Sequence, residues 1–229
     1  MFQDACLRIR ESLYGVIGFG DIPIGEEMRI AGSNGTGFMI APGIIITAAH
    51  LTHIENDPKK PNYSKYAVIR APDIYQNMED AELIAEDPFR DIALLRIKNP
   101  RSRIHVTLEK KIILTGASCG SLGFPLAAVD FEQLKCDFTP RFQGGHISIY
   151  GPQQTLQGRK NVYETDTIMY TGSSGSPGFL VNGNVFGMSF KTLVQASLIG
   201  GTETSRLAIT LWVPSMDIIS FAKENDINI

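Results

Sequence analysis

Short apolar runs alternate with turns rich in Gly, Pro, Asn and Asp along the whole chain, a pattern typical of many strands rather than of helices. Asn182-Gly183 lies between two such runs and predicts a type I′ turn joining adjacent antiparallel strands, because Asn and Gly tolerate positive φ. The fold class expected is therefore all-β. The predicted strands are residues 13–19, 37–40, 44–47, 66–70, 92–97, 112–114, 120–123, 141–150, 162–165, 177–181, 184–190 and 207–213.

The strand pattern is interrupted between residues 99 and 111, where a Pro and a charged stretch precede a new apolar run. We interpret this interruption as the crossing between two halves. The predicted organisation is an amino-terminal segment of residues 1–12, a first unit of residues 13–105 and a second unit of residues 106–213.

Apolar residues at helical spacing follow Ser215 and predict a terminal helix within residues 214–229, with Ser215 as its cap. We expect this helix to pack on the second half. Residues 55–64 are polar and contain Pro, and residues 194–205 are rich in Gly, Ser and Thr. Both segments are predicted to be mobile loops.

Composition narrows the function classes. The chain has 229 residues, 43% of them hydrophobic, and a net charge of −3 without basic clusters, which argues against nucleic-acid binding. Its apolar runs are too short to cross a membrane, and the segment from Met1 to Leu13 lacks the apolar core of a secretory signal. These features predict a cytoplasmic protein. Cys6, Cys119 and Cys136 are odd in number and widely spaced, which favours reduced thiols over disulfides or a zinc site.

The run Gly172-Ser173-Ser174-Gly175-Ser176-Pro177 carries the first candidate chemistry. Glycines on both sides of Ser174 allow a tight turn whose amides can converge on a developing negative charge, and the amides of Gly172 and Ser174 are the candidate oxyanion donors. Taken alone, the run also fits a flexible Gly/Ser loop. It lacks the Lys that a phosphate-binding P-loop requires.

A serine nucleophile needs a base and a group that orients the base. His50 follows the small residues Ala48 and Ala49 at the end of an apolar hairpin, so its imidazole has room to face a cleft. Asp91 begins the apolar strand 92–97 and could bond to such a base. A metal site of His50 with His53 is disfavoured, because no third ligand lies at a familiar spacing. No metal or other cofactor is expected.

The blocks Thr47-Ala48-Ala49-His50, Asp91-Ile92-Ala93-Leu94-Leu95 and Gly172 to Pro177 together resemble the triad blocks of trypsin-like proteases, in the chymotrypsin order His, Asp, Ser. The resemblance implies two six-stranded antiparallel β-barrels, chymotrypsin-like, with a C-terminal helix. It places His50 and Asp91 in the first barrel and Ser174 in the second. The implied function is a serine endopeptidase that cleaves polypeptide substrates through an acyl-enzyme.

Within that class the chain is more similar to HtrA-like and other disulfide-free peptidases. The similarity covers most of residues 13–225 and includes Leu122-Gly123-Phe124-Pro125, Thr165-Asp166 and Val213-Pro214-Ser215. No PDZ-like segment follows the predicted helix, so a tethered substrate-binding domain is not expected.

Three positions depart from the secreted members. Ser173 stands where they carry an Asp that pairs with a newly cut amino terminus, so we expect no activation by cleavage near residue 13. Ile168, at the implied pocket base, with Met169 and Phe190 predicts a preference for small or medium apolar P1 residues. Phe190 also falls near the usual position of a Ser that supports the triad Asp, and Ser189 is the neighbouring candidate for that contact.

Two alternatives to a constitutively active enzyme stay open at this point. The chain could be a catalytically silent scaffold that uses the protease fold to bind proteins. It could also be a protease that is latent until an activating or regulatory protein partner binds. An intact set of His50, Asp91 and Ser174 favours the enzyme over the scaffold.

Overall fold

Strands dominate the computed structural model, which describes residues 2–24, 27–71, 78–130, 135–155, 158–196 and 204–229 and is 53% strand. The all-β expectation is thereby confirmed. The elements before the midpoint are α1 Phe2–Arg10, β1 Leu13–Ile24, β2 Glu27–Ala41, β3 Ile44–Thr47, β4 Lys65–Arg70, β5 Glu79–Asp87 and β6 Ile92–Ile97. Those after it are β7 Ser118–Gly123, β8 Ala128–Asp130, β9 Lys135–Asp137, β10 Arg141–Thr155, β11 Gly158–Thr165, β12 Pro177–Leu180, β13 Val185–Ala196, β14 Thr204–Pro214 and α2 Ser215–Glu224.

The first six strands form a closed antiparallel barrel in the order β1-β2-β3-β6-β5-β4, with β4 paired back to β1. Successive side chains of these strands point to opposite faces of the sheet. Those on one face, such as Val16, Ile45 and Leu95, form one buried cluster. Those on the other face join a larger cluster that continues into the second half and α2. Because β3 is buried on both faces, as are most positions of β4 and β6, these three sequences are nearly continuous apolar runs rather than alternating ones.

The second sheet is ordered β10-β11-β14-β13-β12-β7, and β7 also pairs with β10, so its pairing is cyclic. Its strands are not spaced evenly round one axis. Tyr163, Phe186 and Trp212 form the centre of its own apolar cluster. The expectation of two six-stranded barrels is thus met in full by the first half and in part by the second.

Three local expectations were wrong or incomplete. Residues 112–114 form no strand: the side chains of Ile112 and Leu114 are exposed, and the amide of Ile113 donates to the hydroxyl of Tyr163. Strand β5 was missed because five of its nine residues are acidic and conceal the apolar positions. Helix α1 lies in the predicted amino-terminal segment and packs by its buried Ala5 and Ile9.

The Asn182-Gly183 hairpin is confirmed, but its turn type is not. Strands β12 and β13 pair antiparallel across it. The amide of Gly183 donates to the carbonyl of Leu180 at 2.8 Å, and Gly183 has a φ of 85° while Asn182 is not among the residues of positive φ. A type I′ turn needs positive φ at both central residues, so a single left-handed Gly closes this hairpin instead.

Helix α2 is confirmed and packs against β13 and β14, as expected. Its cap is different from the one predicted. Pro214 occupies the N-cap position, and none of the described side chains caps the helix. The Ser215 hydroxyl donates to the carbonyl of Glu109 at 2.6 Å, so it fastens the start of α2 to the segment that connects the two halves.

The two predicted loops differ in how far the structure describes them. Residues 55–64 form a loop with a single-turn 3₁₀ segment, Ile54–Asn56, and the amide of Ile54 donates to the carbonyl of Pro61. In the second loop, β13 continues to Ala196, which pairs with Thr204 of β14. Residues 197–203 lie outside the described residues.

Candidate active site

His50 lies directly after strand β3, in a short 3₁₀ turn over Ala49–Thr52. Ala48 and Ala49 before it are fully buried, so the chain turns away from the barrel without a bulky side chain that would cover the imidazole. The side chain of His50 is 19% exposed. It therefore has limited access to solvent, as a base in a cleft must have.

Asp91 occupies the turn between β5 and β6, and its backbone is left-handed, with a φ of 61°. Asp and Asn adopt this conformation more readily than most residues. The buried carboxylate accepts two hydrogen bonds from His50: Oδ1 from the backbone amide at 2.9 Å and Oδ2 from Nδ1 at 2.9 Å. These two bonds fix both the position and the plane of the imidazole.

The two groups shift each other's proton affinity. Burial by itself lowers the pKa of His50, but the charge and hydrogen bond of Asp91 outweigh it and raise the pKa above its ordinary value. Burial raises the pKa of Asp91, whereas the charge of His50 and the two hydrogen bonds from it lower the pKa, and the net direction is downward. Asp91 is therefore a carboxylate that only accepts, and Nδ1 of His50 must carry the proton.

Ser174 lies in a turn bounded by Gly172 and Gly175, whose φ angles are 91° and 84°. The turn is held from β13. The hydroxyl of Ser189 donates to the carbonyl of Ser173 at 2.7 Å, and the amide of Gly175 donates to the carbonyl of Ser189 at 2.8 Å. Ser189 thus supports the Ser174 turn, and the expected contact of its hydroxyl with Asp91 is wrong.

The first barrel also binds this turn. Thr36 of β2 donates from its amide to the carbonyl of Ser174 at 2.8 Å and from its hydroxyl to the carbonyl of Gly172 at 2.8 Å. The hydroxyl of Thr47, three residues before His50, donates to the carbonyl of Thr36 at 2.7 Å. This network holds the Ser174 turn against the end of β3 at Thr47, three residues before His50.

The hydroxyl of Ser174 makes no hydrogen bond to His50 in the part of the chain that the structure describes. Contacts between a nucleophile and its base are often long before substrate binds and shorten in the reacting complex. The structure therefore brings His50 and Asp91 into direct contact and joins Ser174 to them through the Thr36 network.

Two of the backbone amides in the Ser174 turn have no hydrogen-bond acceptor among the described residues. The amide of Ser173 donates to the carbonyl of Tyr170 and that of Gly175 to Ser189, whereas the amides of Gly172 and Ser174 have no acceptor among the described residues. Unpaired amides are what an oxyanion site requires. Position 172 needs Gly, because a Cβ there would lie 2.3 Å from the carbonyl oxygen of Phe124.

A cavity of about 200 Å³ opens beside Ser174. Met169 and Phe190 line it, whereas Ile168 is not among its lining residues. The hydroxyl of Thr192 bonds both the amide and the carbonyl of Met169 at 3.1 Å, which fixes Met169 at the wall. The other lining residues are Tyr170, Thr171, Ser189, Lys191 and Thr192, and of these Tyr170, Thr171 and Thr192 were not singled out from the sequence.

The alternative chemistries find no support among the described residues. No group of three His, Cys, Asp or Glu side chains there could hold a metal, and His53 instead bonds the carbonyl of Lys60. Cys6, Cys119 and Cys136 are free thiols, and burial, with the charge of Asp166, raises the pKa of Cys119 to about 12. No described helix is long and apolar enough to span a membrane.

A comparison with protein families agrees with this geometry. The family model described as a trypsin-like peptidase domain matches residues 35–188. The match covers more than half of the chain and includes His50, Asp91 and Ser174. No curated protein matches the chain.

Proposed function

Because the chain belongs to the family of trypsin-like peptidase domains, we propose that it is a serine endopeptidase with His50, Asp91 and Ser174 as its triad. The observation that carries this proposal is the pair of hydrogen bonds from His50 to Asp91, at 2.9 Å each. It supports a base whose ring nitrogen Nε2 is free of a proton. The substrate would bind where residues 13–105 and residues 106–213 meet.

The reaction proceeds in two acyl transfers. Nε2 of His50 takes the proton of Ser174 as its Oγ attacks the peptide carbonyl, and the unpaired amides of Gly172 and Ser174 donate to the resulting oxyanion. The tetrahedral intermediate collapses as the C–N bond breaks, and His50 gives its proton to the leaving amine. Water, deprotonated by Nε2 of His50, then attacks the acyl carbonyl. The bond from that carbon to Oγ of Ser174 breaks, and His50 returns its proton to Oγ, which restores the free enzyme.

The internal bonding of the turn supports activity without amino-terminal cleavage. Ser173 is buried and cannot form an ion pair with a new terminus. Its carbonyl accepts the Ser189 hydroxyl at 2.7 Å, and its amide donates to Tyr170 at 2.9 Å. The turn thus has a substitute for the ion pair that orders it in secreted relatives.

A fluorophosphonate probe tests the proposal, because it reacts only with an activated serine. We expect the uncut chain of residues 1–229 to be labelled, and the label to be lost in Ser174→Ala. Ser176→Ala is the matched control: its buried hydroxyl has no partner among the described residues, so its loss should leave labelling intact. Labelling that appears only after cleavage near residue 13 would contradict activity of the uncut chain.

The same probe separates the alternatives. Folded protein that is never labelled would favour a silent scaffold that binds proteins. Protein that is labelled only after a second protein is added would favour a latent protease. Labelling that persists in Ser174→Ala would place the nucleophile elsewhere and overturn the proposed triad.

The cavity favours apolar P1 residues. Met169 and Phe190 supply apolar wall, and among the described residues Lys191 is the only charged one that lines the cavity. Lys191 repels Lys or Arg and leaves their charge without a partner. In a peptide library we expect small and medium apolar P1 residues to be cleaved faster than basic ones, with Ser174→Ala as the blank. Equal or faster cleavage after Arg would refute this preference.

A further inference from the structure

Lys160 of β11 reaches from the second sheet to the turn that carries Asp91. Its Nζ donates to the carbonyl of Phe89 at 3.0 Å, two residues before Asp91. Gly158 supports the same contact, because a Cβ there would lie 3.1 Å from the Phe89 ring. Strand β11 therefore packs directly on the Asp91 turn.

The same ammonium lies over the ring of Phe190, 4.3 Å from its centroid. Phe190 lines the cavity beside Ser174. A cation over an aromatic face is attracted by the electron-rich ring. One half-buried side chain thus connects the Asp91 turn with the wall of the substrate cavity.

Charged groups of several other elements surround Lys160. The carboxylates of Asp91 in its turn, Asp87 at the end of β5 and Asp217 of α2 attract the ammonium, and the ammonium of Lys191 in β13 repels it. The charge of Lys160 also acts on His50. Burial lowers the pKa of Lys160 below its ordinary value, while the three carboxylates act in the opposite direction. The ammonium form is the one that donates to Phe89 and binds the Phe190 ring.

We propose that Lys160 is a positioning residue of the active site, which ties the Asp91 turn to the cavity wall and places a positive charge beside the His50–Asp91 pair. No position of the triad blocks points to this residue. The proposal deepens the proposed function, on which its catalytic meaning rests, but its physical effect on His50 is measurable without turnover.

The sign of the effect follows from the charges. The positive charge of Lys160 lowers the pKa of both His50 and Asp91. Without it, His50 holds its proton to higher pH and less free base is present on the acid side. The acid limb of kcat/KM should therefore move to higher pH when the charge is removed, and stay in place when it is kept.

The test is an NMR titration of the His50 imidazole in the full chain, with its signal assigned by its loss in His50→Gln. We expect the His50 pKa to rise in Lys160→Met and in Lys160→Gln, and to return to the wild-type value in Lys160→Arg. Lys160→Gln keeps a donor for the Phe89 carbonyl, so comparison with Lys160→Met separates the charge from the tether. Lys98→Met is the control, since Lys98 is exposed and pairs with Glu82.

An unchanged His50 pKa in folded Lys160→Gln, or the same rise in Lys160→Arg, would overturn the role of the charge. Identical His50 titrations and acid limbs in all variants would overturn the proposal as a whole. Failure of the fluorophosphonate probe on wild type would instead count against the proposed protease. The two failures are therefore distinguishable.

Discussion

We expect Asp91→Asn to lower turnover about 10⁴-fold, the effect known for loss of the correct imidazole tautomer in a triad. The two hydrogen bonds of Asp91 decide which way the new amide lies. The backbone amide of His50 can only donate, so the Asn oxygen takes the place of Oδ1 at 2.9 Å. The Asn nitrogen then faces Nδ1, which must become the acceptor.

An imidazole whose Nδ1 accepts carries its proton on Nε2. It can no longer take the proton of Ser174, so the base is lost although every heavy atom stays in place. The fold should survive, because Asn also tolerates the left-handed φ of 61° at this position. Steady-state cleavage of an apolar peptide measures the loss, and ¹⁵N NMR of His50 reports the tautomer.

Asp166→Asn is the matched control. Asp166 bonds His146 in the same way, with Oδ1 accepting the backbone amide at 2.6 Å and Oδ2 lying 3.3 Å from Nδ1. That pair is exposed and does not line the cavity, so its loss should leave turnover within about twofold, as for an ordinary surface change. Asp91→Asn enzyme that keeps a tenth or more of wild-type turnover would contradict the assigned role of Asp91.

Gly175→Ala should lower the free energy of unfolding by about 2–5 kcal/mol, from a left-handed backbone and from overpacking. At its φ of 84° an added Cβ would lie 1.9 Å from the carbonyl oxygen of Thr36 and 2.7 Å from the hydroxyl of Thr47. Both atoms belong to the network that binds the Ser174 turn to the first barrel. The turn can therefore accept the methyl group only by separating from that barrel.

Gly116→Ala controls for the backbone term alone. Gly116 has a similar φ of 86°, but a Cβ there would meet no atom of the described residues within 4 Å. Its cost should be about 1–2 kcal/mol. Urea denaturation of both variants measures the difference, and equal losses at the two positions would show that the contact with Thr36 contributes little to stability.

Secondary structure was predicted best for strands whose side chains are nearly all buried. Residues 44–47 are buried throughout and apolar except at Thr47, and residues 92–97 are apolar and buried except at Arg96. Both are strands as expected, because nearly all of their side chains are covered on either face. The prediction failed at residues 112–114, whose apolar side chains are largely exposed. It also failed at Glu79–Asp87, where acidic residues on a barrel strand conceal the alternation.

The residue types of the proposed triad, their order along the chain, and the glycines that a turn of positive φ requires could all be predicted from the sequence. These are local properties, fixed by neighbours in the chain. Tertiary structure alone decided that Ser189 supports the Ser174 turn rather than Asp91, that Ile168 stays outside the cavity, and that Lys160 lies beside Phe89. Each of these contacts joins segments that are distant in the chain, and strand register and burial determine which side chains meet there.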